Sequence, residues 1–202
     1  MLCIANKHYE QEALMKLSVS GNGVDRMPGF AFRMMNLIFD VRDKFVSVSS
    51  LLDEFGIEPG QTVVDYGCGP GSYVAHAAEL TGPQGRVFAL DIHELAVKAV
   101  MKRAAQEKLV NVTAVLTERN KCSLVDGIAD VIYALDMFHM VSDPKGLMRD
   151  LNRISKRSGF LFIDNGHQSR DEARSKIVDS GMWEMVEEKK RYMKWRPLKK
   201  EE

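Results

Sequence analysis

The sequence has no apolar run of the roughly 18–20 residues that a bilayer-spanning helix needs. Its nearest approach, Phe30 to Phe39, is interrupted by Arg33 and Asn36. It has no net charge either, with 28 Lys and Arg against 28 Asp and Glu, so no overall field draws it to nucleic acid or to an anionic membrane. The three cysteines, Cys3, Cys68 and Cys122, form no Cys-x-x-Cys pair and show no zinc-ligand spacing. No metal site is expected, and the odd count reads as free thiols in a reducing compartment. The first ten residues lack a basic flank leading into a sustained apolar core, so no secretory signal is visible. A cytoplasmic protein is the expectation. Internal repeats and low-complexity tracts are also lacking. The 202 residues suffice for one domain with a sizeable core and an N-terminal appendage, but hardly for two domains. The 12 methionines read as plastic core filler.

What is present centres on Val63-Val64-Asp65-Tyr66-Gly67-Cys68-Gly69-Pro70-Gly71-Ser72, a buried strand running into a glycine turn. Alternating glycines let a backbone turn sharply and approach a ligand closely. A strand, such a turn and a helix together form the general nucleotide cradle of doubly wound sheets. In a dinucleotide site the loop amides face a pyrophosphate, where an acid two residues ahead of the first glycine is a penalty. Asp65 therefore argues for a ligand with a cationic part. Ser72 stands where a Gly-x-Gly-x-x-Gly pattern needs its last glycine, with Gly71 one position early.

Around this turn the chain alternates. Strands are expected at Thr62 to Tyr66, Arg86 to Leu90, Val112 to Leu116, Val131 to Leu135 and Phe160 to Ile163, with helices at Tyr73 to Leu80, Glu94 to Glu107, Pro144 to Ile154 and Asp171 to Asp179. Such alternation predicts a mostly parallel α/β sheet covered on both faces. Trp183 to Lys189 and Tyr192 to Trp195 follow too closely for a parallel crossover, so they predict an antiparallel hairpin at a sheet edge. Ahead of the sheet, residues 1–43 read as a helical lead-in or lid, with Phe30, Met34, Leu37, Ile38 and Val41 on one helical face, and 44–202 as the main domain. A helix from Lys44 to Phe55 stops at Gly56.

This arrangement, with Asp65-x-Gly67-x-Gly69-x-Gly71 after the first strand, resembles the class I S-adenosylmethionine-dependent methyltransferases over roughly residues 44–197, and most closely the small-molecule branch that includes the ubiquinone and menaquinone C-methyltransferases. The resemblance implies a Rossmann-like seven-stranded sheet of order 3-2-1-4-5-7-6 and S-adenosyl-L-methionine as cofactor. It implies that the backbone at Gly67, Cys68, Gly69 and Gly71 passes along the methionine half while Asp65 orients the ammonium group. Asp91, at the end of the second strand in Phe88-Ala89-Leu90-Asp91-Ile92-His93, then takes the ribose hydroxyls, with Ile92 on the adenine face; a cap for the following helix is a lesser reading of Asp91, compatible with the first. Glu118 falls where the family often has an aspartate for the adenine amino group, but Thr117-Glu118-Arg119-Asn120 departs from the usual pattern, so Glu118 either reaches adenine or is simply solvated. Asp130-Val131-Ile132-Tyr133-Ala134-Leu135-Asp136-Met137-Phe138-His139 resembles the fourth-strand motif, which brings Leu135 to the cofactor and makes Asp136 and His139 the catalytic candidates, Tyr133 a candidate for orienting the acceptor. His139 also reads as an ordinary, partly buried histidine.

Methyl transfer is largely a matter of positioning, and a general base such as His139 is needed only where the acceptor keeps a proton until attack. No Asn-Pro-Pro-Tyr-like segment follows the fourth strand and no Pro-Cys dipeptide occurs, so the nucleic-acid subclasses are disfavoured. The expected partner is a small-molecule acceptor, handled by a monomer or homodimer. An NAD(P)-dependent oxidoreductase and a cofactor-binding module without turnover are the competing readings.

Overall fold

A computed structural model describes residues 49–198. The lead-in expected at 1–43 and the first turn of the helix expected from Lys44 lie outside the described residues. The elements run α1 (Ser49–Asp53), β1 (Thr62–Tyr66), α2 (Val74–Thr81), β2 (Arg86–Asp91), α3 (Glu94–Glu107), β3 (Val112–Leu116), β4 (Ala129–Ala134), α4 (Pro144–Ile154), β5 (Ser155–Ile163), α5 (Arg170–Val178), β6 (Trp183–Glu188) and β7 (Met193–Pro197), with a 3-10 turn at Phe138–Met140. They form one seven-stranded sheet of order β3-β2-β1-β4-β5-β7-β6. The first five strands are parallel, and β7 runs antiparallel to both β5 and β6.

Side-chain alternation along a strand explains why both faces are covered. Val63 stands in register with Val87 and Val131, and these residues pack with Leu52, Phe55, Ala77 and Ala78 of the α1–α2 side. Val64, one residue on, pairs with Ile132 and faces the other way, against Leu147, Met148, Leu151 and Ile154 of α4. Each such aliphatic side chain contributes about 1.5–3 kcal/mol when fully buried.

Local chemistry sets the element ends. Pro144 occupies the first turn of α4, and the Asp143 carboxylate accepts the Gly146 N–H at 2.9 Å. For α3 the cap is His93, whose Nδ1 accepts from the Leu95 N–H at 3.1 Å; the capping role that the sequence offered Asp91 belongs to its neighbour. β5 starts at Ser155, earlier than its apolar run, and reaches its main register through an irregularity between Ala129 and Val131 of β4. Gly159 lies in that irregular stretch, where a Cβ would stand 2.8 Å from the Ala129 carbonyl.

Candidate active site

Strand order reverses between β1 and β4, and a crevice at the carboxyl ends of such strands is where α/β sheets bind ligands. Here that crevice is a cavity of about 200 Å³, walled by the β1–α2 turn, the ends of β2 and β3, and the segment after β4.

The turn is held by its own amides. Gly67 N–H and Cys68 N–H both donate to the Leu90 carbonyl, at 2.8 and 2.9 Å, and Gly69 N–H donates to Asp91 Oδ2 at 3.0 Å. Gly71 N–H donates to the Cys68 carbonyl, and Arg103 of α3 ties down the Gly71 carbonyl at 2.7 Å. Gly67 and Gly71 have to be glycine: their φ values are 79° and 83°, and a Cβ would lie 2.9 Å from Met137 Cγ and from Val100 Cγ2 respectively. Gly67, Cys68 and Gly69 line the cavity, whereas Gly71 packs against α3 beside it. The Gly67, Cys68 and Gly69 amides are thus committed to β2 and closed to a pyrophosphate, which weighs against a dinucleotide.

Asp65 lines the cavity from beneath the turn and is 3% exposed. Burial pushes its carboxyl up to about 8. The nearby Tyr133 hydroxyl favours the charged form, and Asp91 works in the opposite sense. Neither Asp65 Oδ2 nor the Tyr133 hydroxyl has a hydrogen-bond partner among the described residues. Tyr133 is wholly buried, its ring against Phe55 and Tyr73, and it lies outside the lining. An unpartnered buried carboxylate oxygen is costly, and a cationic group entering the cavity relieves that cost.

Asp91 lies at the cavity with both oxygens anchored, Oδ2 by Gly69 N–H and Oδ1 by His93 N–H at 2.7 Å. Burial raises its pKa while these two amides lower it. The carboxylate faces the cavity as an acceptor, which suits a hydroxyl donor. Ile92 lines the cavity next to it. Beyond β3, the Thr117 N–H is fixed on the Asp91 carbonyl at 2.9 Å, and Thr117, Arg119 and Asn120 reach the cavity. Glu118 does not: it is exposed and outside the lining. Its backbone pairs with Lys121 in a tight turn, and with Thr117 pointing inward the next side chain points out.

On the β4 side, Leu135 and Asp136 line the cavity, together with Met137, Met140, Val141 and Leu147. His139 is not in the lining; its ring stands edge-on to His167, centroids 4.7 Å apart, and packs on Gly166. Burial and His167 hold its pKa below the ordinary value, Asp136 opposing them. The structure thus gathers Asp65, Gly67, Cys68, Gly69, Asp91, Ile92, Leu135 and Asp136 around one cavity, with Gly71 and His139 behind its walls and Glu118 apart. Sequence reasoning passed over Met137, Met140 and Val141, although all three follow β4 directly, and over Tyr73, which stands one residue beyond the glycine turn.

Comparison with known proteins agrees with this geometry. A family model described as a methyltransferase domain matches residues 57–200. The chain is similar to the nocamycin O-methyltransferase of Saccharothrix syringae, at 37% identity over 57% of this chain and 39% of that protein. It is also similar to a ubiquinone/menaquinone biosynthesis C-methyltransferase of Shewanella sp., at 26% identity over 61% of this chain and 50% of that protein. The chain thus spans at most half the length of these curated relatives. Among solved structures, an S-adenosylmethionine-dependent methyltransferase from Aquifex aeolicus superposes with a TM-score of 0.63 at 27% identity, covering 73% of this chain and 87% of that one. With the glycine turn, the two cavity acids and the sheet order all in agreement with a family match over most of its length, the chain belongs to the class I S-adenosylmethionine-dependent methyltransferases.

Proposed function

We propose that the chain transfers a methyl group from S-adenosylmethionine to a small-molecule acceptor by in-line displacement. The observation that carries this reading is Asp65, a buried carboxylate with an unpartnered oxygen at a cavity whose neighbouring amides are already committed. Bound S-adenosylmethionine supplies the electrophile, a methyl group on a positively charged sulfur. Asp65 holds the ammonium group of the methionine half, since an opposite charge favours the ionised carboxylate against its burial. Asp91, oriented by the Gly69 and His93 amides, accepts the ribose hydroxyls. Ile92, Thr117 and Asn120, which line the cavity near Asp91, offer the adenine an apolar face and polar edges. Glu118, exposed, is left to solvent.

Asp136 faces the acceptor, orienting it or taking its proton where it has one to lose. His139, behind the wall, supports that segment. The acceptor is small: the charge is balanced, the wall after β4 is built of Leu135, Met137, Met140 and Val141, and two relatives are named for nocamycin and for ubiquinone and menaquinone biosynthesis. Residues 1–43, ahead of the matched segment, are assigned to acceptor recognition. A monomer or a homodimer is the expected state. No described helix is long and apolar enough to cross a membrane; buried, free Cys68 and Cys122 support a reducing, cytoplasmic setting.

The test is label transfer from methyl-tritiated S-adenosylmethionine to a panel of phenols, quinols, carboxylic acids and amines, with RNA and DNA alongside. Label in a small molecule is the expected result. Label in nucleic acid alone overturns the acceptor class.

A further inference from the structure

At the end of β5 the carboxylate of Asp164 accepts the backbone N–H of Asp136 across the strand boundary, with Oδ1 and Oδ2 at 3.0 and 3.1 Å. Asp136 has φ 58°, one of three non-glycine residues with positive φ among those described. The other two have local explanations: Lys108 ends α3, and Asn120 sits inside the tight turn between Glu118 and Lys121. Asp136 is held instead by a residue 28 positions away. The left-handed region disfavours any residue with a Cβ, and a charged acceptor on its N–H stabilises the turn. This turn is also a cavity wall. Leu135, Asp136 and Met137 line the cavity, and Met137 reaches over Gly67, the glycine on which its side chain rests. Asp164 does not itself line the cavity.

We propose that Asp164 is a positioning residue of this enzyme: by holding the Asp136 amide it fixes the Leu135–Met137 wall, and through it both cofactor affinity and the place of the acceptor beside Asp136. The acceptor half of this statement rests on the proposed function; the clamp itself does not. Burial, then the Asp136 charge, push the Asp164 carboxyl up to about 6, while the Asp136 and Gly166 amides oppose them. The ionised acceptor is therefore complete above that pH and lost as pH falls through it. The other titratable groups of this corner are His139 after β4, His167 before α5 and Lys176 on α5.

The experiment follows the Asp136 amide in proton–nitrogen correlation spectra of the full chain over about two pH units either side of 6, in the wild type, Asp164→Asn and Asp164→Ala. S-adenosylhomocysteine affinity is measured by calorimetry at mildly alkaline pH. In the wild type the Asp136 amide proton moves upfield on acidification with a midpoint near 6, and in Asp164→Asn that transition is absent. Loss of one charge-assisted bond predicts roughly tenfold weaker affinity in Asp164→Ala, and near wild-type affinity in Asp164→Asn, whose amide oxygen still accepts. An Asp136 amide transition near pH 6 that survives in Asp164→Asn belongs to another group of this corner, the Asp136 carboxyl itself included, and overturns the clamp as its source; so does wild-type affinity in a folded Asp164→Ala. If Asp164→Ala does not fold, the Asp164→Asn spectra decide alone. If S-adenosylhomocysteine fails to bind the wild type, the proposed function falls while the amide titration still judges the clamp.

Discussion

Asp65 is a carboxyl group that gains by staying protonated until a cation arrives. Its folded value of about 8 lies above the ordinary 3.8. Between those values the cofactor-free folded chain keeps a proton that the unfolded chain has released, so this group's contribution to stability is full below about pH 4 and declines as pH rises to 8. Asp65→Asn, of equal size and without charge, removes that slope; urea unfolding of both proteins at several pH values reads it directly. The same proton must leave when an ammonium group binds. Calorimetry of S-adenosylhomocysteine binding near neutral pH, in buffers of different ionisation enthalpy, is expected to register proton release in the wild type and none in Asp65→Asn. Gly71 makes a separate point about packing. Its φ is 83°, and a Cβ there would sit 2.9 Å from a Val100 methyl, which leaves no room for a side chain. Gly71→Ala therefore costs about 1–3 kcal/mol, measurable as a lower denaturation midpoint with an unchanged slope.

Elements meet the cavity through buried networks as well as through the sheet. Asp150 of α4 is buried; its Oδ2 accepts the Cys122 N–H at 2.8 Å and the Tyr66 hydroxyl, and its Oδ1 accepts two bonds from Arg153. Arg153 in turn holds the carbonyls of Cys122 and Leu124. The irregular link between β3 and β4 is thus fastened to α4. Asp150→Ala leaves the Cys122 amide and part of Arg153 unpartnered, a loss of about 2–4 kcal/mol, to be checked by chemical denaturation. Elements with strong local signals were legible in the sequence. For α3 and α4 the bounds read from periodicity and flanking residues coincide with those observed, Glu94–Glu107 and Pro144–Ile154, because apolar spacing, a proline and capping residues all act within a few positions. The start of β5 was not legible: Ser155-Lys156-Arg157-Ser158-Gly159 is polar, and only pairing with Ala129 makes its first residue strand. For the same reason Asp65 and Asp91 could be read from a glycine turn and a strand end, whereas Asp164 could not, since its partner lies across the sheet. Of the two settings the sequence left open for Glu118, the structure has the exposed one, because its backbone turns back onto Lys121.

At the scale of the whole molecule, the parallel strands make the crevice and the antiparallel pair closes the sheet beside them. Trp183, Met193 and Trp195 are buried against Leu161, Ile163 and Ile177, so the terminal hairpin belongs to the main core. Deleting the chain from Met182 onward strips the β5 edge and exposes that apolar surface; loss of a cooperative thermal transition, seen by circular dichroism, is the expected outcome. Everything claimed for the molecule turns on what the crevice holds. The most direct test is calorimetric titration of the wild type and Asp65→Asn with S-adenosylhomocysteine and with NADH. Saturable one-to-one binding of S-adenosylhomocysteine to the wild type is predicted, at least about thirtyfold weaker in Asp65→Asn as a buried charge partner is lost, with no binding of NADH. Tight NADH binding, or S-adenosylhomocysteine binding indifferent to Asp65→Asn, would contradict it.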